Sequence, residues 1–141
     1  MIDFTQLFIA LRLPVLVGAL VTFVFSYLWY SVLFSKQWMA LSGIVDTGVK
    51  PSLKAMSKSL VTKFIMNLLL GIALFLLVLI PQSLKSSMIV GLIAYIGFVF
   101  TFQMDGYLWG GKSFKLLMFD TLHNMLAVAL FIATMYYIVR M

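Results

Sequence analysis

The chain has 141 residues, of which 64% are hydrophobic and 10% charged, and its mean hydropathy is +1.13. Soluble domains carry about 25% charged residues, so this composition excludes a water-soluble domain and requires a lipid environment. The formal net charge of +6 therefore indicates membrane topology and contact with anionic lipid, not nucleic-acid binding. The absence of cysteine excludes disulfides, thiolate metal sites and iron–sulfur clusters.

Four apolar stretches are long enough to cross a hydrocarbon core near 30 Å, which takes about 20 helical residues. They cover about 13–34, 60–80, 88–104 and 114–139. The first is too long for the apolar region of a cleaved signal peptide, and Pro14 is expected in its first turn. Four strands could not close a barrel in lipid. The sequence thus predicts one all-α domain over residues 1–141, an integral membrane bundle of four transmembrane helices.

Basic residues predict the orientation, because they concentrate in cytoplasmic loops. Seven lysines lie in or beside the loops that follow the first and third stretches: Lys36, Lys50, Lys54, Lys58, Lys63, Lys112 and Lys115. The opposite side has only Arg12, Lys85 and Arg140. We therefore expect a multi-pass membrane protein with both termini on the non-cytoplasmic side.

The segment before the second stretch carries Lys50, Lys54 and Lys58 at intervals of four residues, and Leu53, Met56 and Leu60 fall on the other side. This spacing favours an interfacial helix whose lysines contact anionic lipid headgroups. The alternative is an ordinary solvated loop.

Two further patterns concern packing. Short sequence motifs recur in the two halves of the chain: residues 27–29 and 107–109 are both Tyr-Leu-Trp. If this repetition is structural, each half is one helical hairpin. Gly18, Thr22 and Ser26 form a stripe of small residues, which allows close helix approach either inside the bundle or in a homodimer.

Polar residues within membrane spans are costly, and they are candidate functional residues. The fourth stretch places Asp120, His123 and Asn124 on one helix face. The other stretches contribute polar residues at a similar depth, namely Asn67, Gln103, Asp105, Tyr30 and Ser31. The outer halves contain few such groups. The sequence therefore predicts a polar layer near the cytoplasmic face.

This layer has two interpretations. In one, Asp120 and His123 form a proton- or cation-responsive pair in a water-filled vestibule. In the other, the polar groups only hydrogen-bond between helices and fix their packing. Catalysis has little support, because the chain has one histidine, four aspartates and no glutamate. No cofactor or metal site is expected, since zinc needs more ligands than the layer offers.

The segment from Trp29 to Trp38, WYSVLFSKQW, resembles the hallmark of a family of small bacterial membrane proteins catalogued only as a domain of unknown function. That hallmark runs roughly W-Y-S-P-x-x-F-G-K-x-W, so Val32 and Ser35 depart from it. The resemblance implies four spans over almost the whole chain and a place in a bacterial cytoplasmic (inner) membrane, and it implies no activity. The segment also fits interfacial anchoring of rings and a lysine at headgroup depth, by Trp29, Lys36 and Trp38, together with Trp109.

Three functional hypotheses follow. The first is a non-enzymatic membrane protein that binds or passes a small solute or ion through the polar layer. The second is an accessory or scaffold subunit with a partner membrane protein, in which the layer only fixes packing. The third is a membrane enzyme that acts on a lipid, which would need a nucleophile or metal near Asp120.

Overall fold

The computed structural model describes residues 4–45, 48, 52–79 and 83–141, and these residues contain helices and connecting turns without a strand. One long helix ends in a π-helical segment and another contains one; in such a segment the backbone hydrogen bonds span five residues and not four. In chain order the elements are α1 (Phe4–Tyr27), π1 (Leu28–Leu33), α2 (Ser35–Leu41), α3 (Leu53–Leu79), α4 (Leu84–Ala94), π2 (Tyr95–Phe100), α5 (Thr101–Leu108) and α6 (Phe114–Val139).

Four helical segments are long and apolar enough to span a membrane: Arg12–Leu33, Met56–Phe75, Leu84–Leu108 and Phe114–Val139. Only a helix or a closed barrel satisfies its backbone hydrogen bonds in lipid. Leu16, Leu20 and Val24 lie exposed at intervals of four residues on α1, as expected for a side chain row that faces acyl chains. The structure confirms the all-α, four-span, multi-pass membrane architecture.

Two helices begin earlier than the sequence predicts. α1 starts at Phe4, so Pro14 lies inside the helix and its predicted place in the first turn is wrong. Membrane helices tolerate an internal proline because neighbouring groups satisfy the freed carbonyl. The expected interfacial helix and the second span form one continuous helix, α3, on which Lys54 and Lys58 are exposed. Lys50 lies outside the described residues.

Helices α1 and α6 form the central pair of the bundle. α3 packs mainly on α1 and α4 mainly on α6, while α3 and α4 have little mutual contact. A hairpin repeat would make the α1–α6 and α3–α4 pairs equivalent, and their extents differ. These contacts do not support the repetition, which remains a prediction from the sequence alone.

The apolar core is centred on Phe131 of α6, whose side chain is fully buried. Its ring fills the space left by Gly18 on α1 and Gly71 on α3; a Cβ at Gly71 would lie 2.5 Å from the ring Cζ. The next residue, Ile132, packs in the same way against Gly91 of α4. Glycines on α1, α3 and α4 thus leave space that Phe131 and Ile132 of α6 fill. The stripe that begins at Gly18 therefore serves packing inside the bundle.

A tight turn positions the start of α6. Gly111 adopts a φ of +70°, a conformation that side chains disfavour. Ser113 then caps the helix, because its side chain accepts a hydrogen bond from the backbone N–H of Leu116 at 3.2 Å. This cap begins α6 about two turns before Asp120.

Candidate functional site: a polar layer between the helices

Three side chains on one face of the first span, Thr22, Ser26 and Tyr30, follow each other at intervals of four residues, and each meets a polar residue of another span. Asn67 Nδ2 of α3 lies 3.5 Å from Thr22 Oγ1, and Ser26 Oγ lies 3.0 Å from His123 Nε2. We call these three residues and their partners the polar seam.

The third contact of the polar seam links Tyr30 to Asp120, since the tyrosine hydroxyl donates a hydrogen bond to Oδ1 of the carboxylate at 3.0 Å. Between Thr22 and Tyr30 the seam covers about 12 Å, at 1.5 Å per helical residue. It begins at the polar layer and ends beside the apolar core around Phe131. The Phe131 ring packs against Gly18 and Gly71, one turn beyond Thr22 and Asn67, so the apolar core lies past the deep end of the seam.

His123 is held rigidly at the middle of the polar seam. Its side chain is buried, and its Nδ1 lies 2.9 Å from Asn124 Oδ1 while its Nε2 meets Ser26. The Phe25 ring stacks on the imidazole at 5.4 Å with an angle of 7°, and the Tyr30 ring lies at 4.6 Å. Both ring nitrogens are thus occupied, and the imidazole has little freedom to move.

Asp120 has a different environment, although it lies three residues before His123 on α6. The side chain is half-buried, and its Oδ1 accepts the Tyr30 hydrogen bond. In the part of the chain that the structure describes, Asp120 and His123 are not hydrogen-bonded to each other. Each is bonded to the first span instead. The expected pair is therefore two separate contacts between α6 and the first span.

The third span contributes a second set of bonds. Tyr95, the first residue of π2, donates from its hydroxyl to Gln103 Oε1 at 2.8 Å, and the same hydroxyl lies 3.3 Å from the Thr121 carbonyl. The Thr121 hydroxyl lies 3.4 Å from Gln103 Oε1. Gln103 is thereby connected to α6 beside Asp120.

Sequence reasoning missed Tyr95 and Thr121. A tyrosine in an otherwise apolar span, eight residues before Gln103, was the available signal for the first. The adjacency of Thr121 to Asp120 was the signal for the second. Both π-helical segments carry a tyrosine of the layer, Tyr30 in π1 and Tyr95 in π2. Such segments are frequent at functional sites.

The structure brings together Tyr30, Asp120, His123, Asn124 and Gln103, and it places Asn67 deeper in the bundle. Two predicted members of the layer are not brought into it. Ser31 is exposed because it follows Tyr30 by one residue and so faces a different side of the helix. Asp105 lies on the exposed face of α5.

The predicted interfacial anchors have different positions. Trp29 is buried, and its ring packs 5.6 Å from Phe119 and 5.7 Å from His123. The expectation of a lipid-facing anchor is therefore wrong for Trp29, whose indole Nε1 has no hydrogen-bond partner among the described residues. Trp109 and Lys36 are exposed, while Trp38 is half-buried.

Among the described residues, no group of three or more histidine, cysteine, aspartate or glutamate side chains could hold a metal ion. The layer instead combines one carboxylate, one imidazole, amides, hydroxyls and aromatic rings. These groups can bind a small molecule through hydrogen bonds, a single negative charge and ring faces.

Residues 13–136 match the sequence profile of a family described as a protein of unknown function (DUF1761). No curated protein and no solved structure matches the chain. The description of this family names no activity.

Proposed function

Because the chain belongs to the DUF1761 family, whose description names no activity, we propose from the polar layer that the protein binds, or passes, a small solute or ion. The binding site lies near the cytoplasmic face of the bundle and is centred on Asp120. His123, Asn124, Gln103 and Tyr30 orient what binds there.

The observation that carries this proposal is the environment of Asp120. A charged group inside a membrane span is costly unless it has a partner. Asp120 lies within the span Phe114–Val139, and its hydrogen bond comes from the neutral Tyr30 hydroxyl. Among the described residues, no lysine or arginine forms an ion pair with it. A bound cation, a proton or a polar solute would complete this site.

In this conformation, the packing of the apolar core supports binding of a solute or ion more directly than its passage through the bundle. Phe131 fills the space beside Gly18 and Gly71, and it lies beyond the deep end of the polar seam. Passage across the membrane then requires a second conformation in which α6 or the Phe131 ring moves. We propose that the site opens to the cytoplasm, in a bacterial inner membrane with both termini outside.

The proposal can be tested by reconstituting the full chain in vesicles that contain a pH-sensitive dye, and by imposing proton, K⁺ or Na⁺ gradients. Thermal unfolding in detergent with the same ions measures binding in parallel. We expect Asp120→Asn to abolish the ion-dependent response, and His123→Ala to weaken it. Thr134→Val, which removes a hydroxyl bonded to the Leu130 carbonyl in the outer half, is the control. A response that Asp120→Asn and His123→Ala leave unchanged contradicts the proposal.

A second candidate function, an accessory or scaffold subunit, is favoured by His123. This side chain is buried with both nitrogens occupied, as expected for a packing role. That function predicts that Asp120→Asn and His123→Ala lower stability and abolish co-purification of a partner membrane protein. A homodimer is compatible with either candidate function, and crosslinking in native membranes measures it.

A further inference from the structure

Four half-buried aromatic side chains form a connected cluster that reaches Asp120 through Tyr30: Tyr30, Phe34, Trp38 and Phe119. We call them the aromatic rim. The Tyr30 ring lies 5.8 Å from Trp38 and 6.0 Å from Phe119, and Phe34 lies 5.9 Å from Phe119. Since the Tyr30 hydroxyl donates to Asp120, the carboxylate and the ring faces belong to one cluster.

The backbone explains how these rings come together. π1 ends at Leu33, and Phe34 breaks the helix with a ψ of 22° before α2 begins at Ser35. α2 then packs against α6, which brings the Trp38 ring into edge-to-face contact with the Tyr30 ring. Phe119 of α6 joins the cluster because its ring packs against the Tyr30 ring. The rim is thus assembled from three elements, and it is not a stripe on one helix.

The charge and the rings together select a class of ligand. Aromatic faces attract cations, and quaternary ammonium ions are commonly recognised by such rings. Asp120 supplies one negative charge, and its Oδ2 accepts no hydrogen bond from the described residues. Mg²⁺ and Ca²⁺ require several oxygen ligands in a defined geometry, whereas an ammonium ion needs one carboxylate and ring faces. A neutral solute would leave the carboxylate without a counter-charge.

We propose that the aromatic rim and Asp120 bind a small organic ammonium ion with one positive charge. This inference rests on the proposed function, because it names the class of ligand for the same polar layer. The carboxylate neutralises the charge, and Tyr30 and Trp38 contribute their ring faces. The Tyr30 hydroxyl holds the carboxylate in place from the side of the first span.

The test is isothermal titration calorimetry of the full chain in detergent with tetramethylammonium chloride. KCl and the neutral isostere tert-butanol serve as ligand controls. We expect saturable binding of tetramethylammonium, with at least tenfold weaker binding of K⁺ and of the neutral compound. Asp120→Asn should reduce the affinity for tetramethylammonium at least tenfold, while Asp120→Glu should retain most of it.

Matched ring variants separate the ring faces from the hydrogen bond. Tyr30→Phe keeps the ring and loses only the hydroxyl that positions the carboxylate, so it should reduce the affinity less than Tyr30→Leu, which loses both and should reduce it about threefold to tenfold. Trp38→Leu should have a similar effect, and Trp109→Leu, at an exposed tryptophan, should have none. Circular dichroism melting confirms that each variant is folded.

The outcomes distinguish this inference from the function on which it rests. Equal binding of K⁺ or tert-butanol that depends on Asp120 overturns the ammonium assignment and leaves the proposed function standing. Absence of saturable tetramethylammonium binding to the folded wild-type chain also overturns the assignment. If, in addition, no ion-dependent response in vesicles depends on Asp120, both proposals fail.

Discussion

His123 shows how a polar side chain in a membrane span can serve two purposes. Its nitrogens bond to Ser26 and Asn124, while Phe25 stacks on its face. An aromatic residue in its place would keep the stacking and lose the hydrogen bonds. Because hydrogen bonds between membrane helices contribute only about 0.6 kcal/mol on average, the ring is expected to matter more for stability than the nitrogens.

We therefore expect His123→Phe to lower the free energy of unfolding by less than about 1 kcal/mol. His123→Ala should lower it by about 2–4 kcal/mol, since it leaves a cavity between Phe25, Trp29 and Tyr30. Denaturation in mixed micelles measures both changes. Equal losses for the two variants would contradict the view that the ring provides most of the stabilisation.

At the scale of elements, the packing of α6 depends on glycines of its neighbours. Phe131 occupies the space beside Gly18 and Gly71, and Ile132 the space beside Gly91. Gly97 offers a matched contrast, because a Cβ there would meet no atom within 4 Å. The four glycines are similar in the sequence, and only the neighbouring helices distinguish their roles.

Gly18→Ala should lower the free energy of unfolding by about 1–3 kcal/mol, because the added methyl group displaces the Phe131 ring. Gly97→Ala should stay within about 0.5 kcal/mol of the wild type. Combining Gly18→Ala with Phe131→Leu should give a smaller loss than the sum of the single changes, since the two sites share one space. Strict additivity would contradict the close packing of these helices.

At the scale of the whole molecule, orientation in the membrane remains a prediction from the basic residues. The loop between the first two spans holds most of the lysines, and Lys54 and Lys58 are exposed on α3. On this orientation, Asp120, the aromatic rim, Lys54 and Lys58 lie toward the cytoplasm. Any solute from that side would approach the polar layer first.

Because the chain contains no cysteine, single introduced cysteines report orientation without a background. Ser57→Cys on α3 should react with a membrane-impermeant maleimide only after the cells are opened. Ser86→Cys, at the exposed start of α4, should react in intact cells. Labelling of the Ser57→Cys variant from outside would reverse the proposed orientation.

Composition and periodicity determine most of this fold. Long apolar segments must be helical in lipid, so the sequence predicts four spans, and the last one agrees with α6 at both ends. Asp120, His123 and Asn124 share a face because helical spacing dictates it. The polar layer is visible in the sequence for the same reason, since polar residues inside spans are rare and cluster at one depth.

Only the tertiary structure decided which polar residues meet and which ring faces surround them. Asp120 bonds to Tyr30 and His123 to Ser26 because α6 packs against the first span, and no local pattern specifies that contact. Trp29 is buried and Ser31 exposed because π1 and the packing of α6 set which residues of this segment face inward. Periodicity fixes which residues share one helix face, whereas contacts between helices depend on packing shape over long sequence separations.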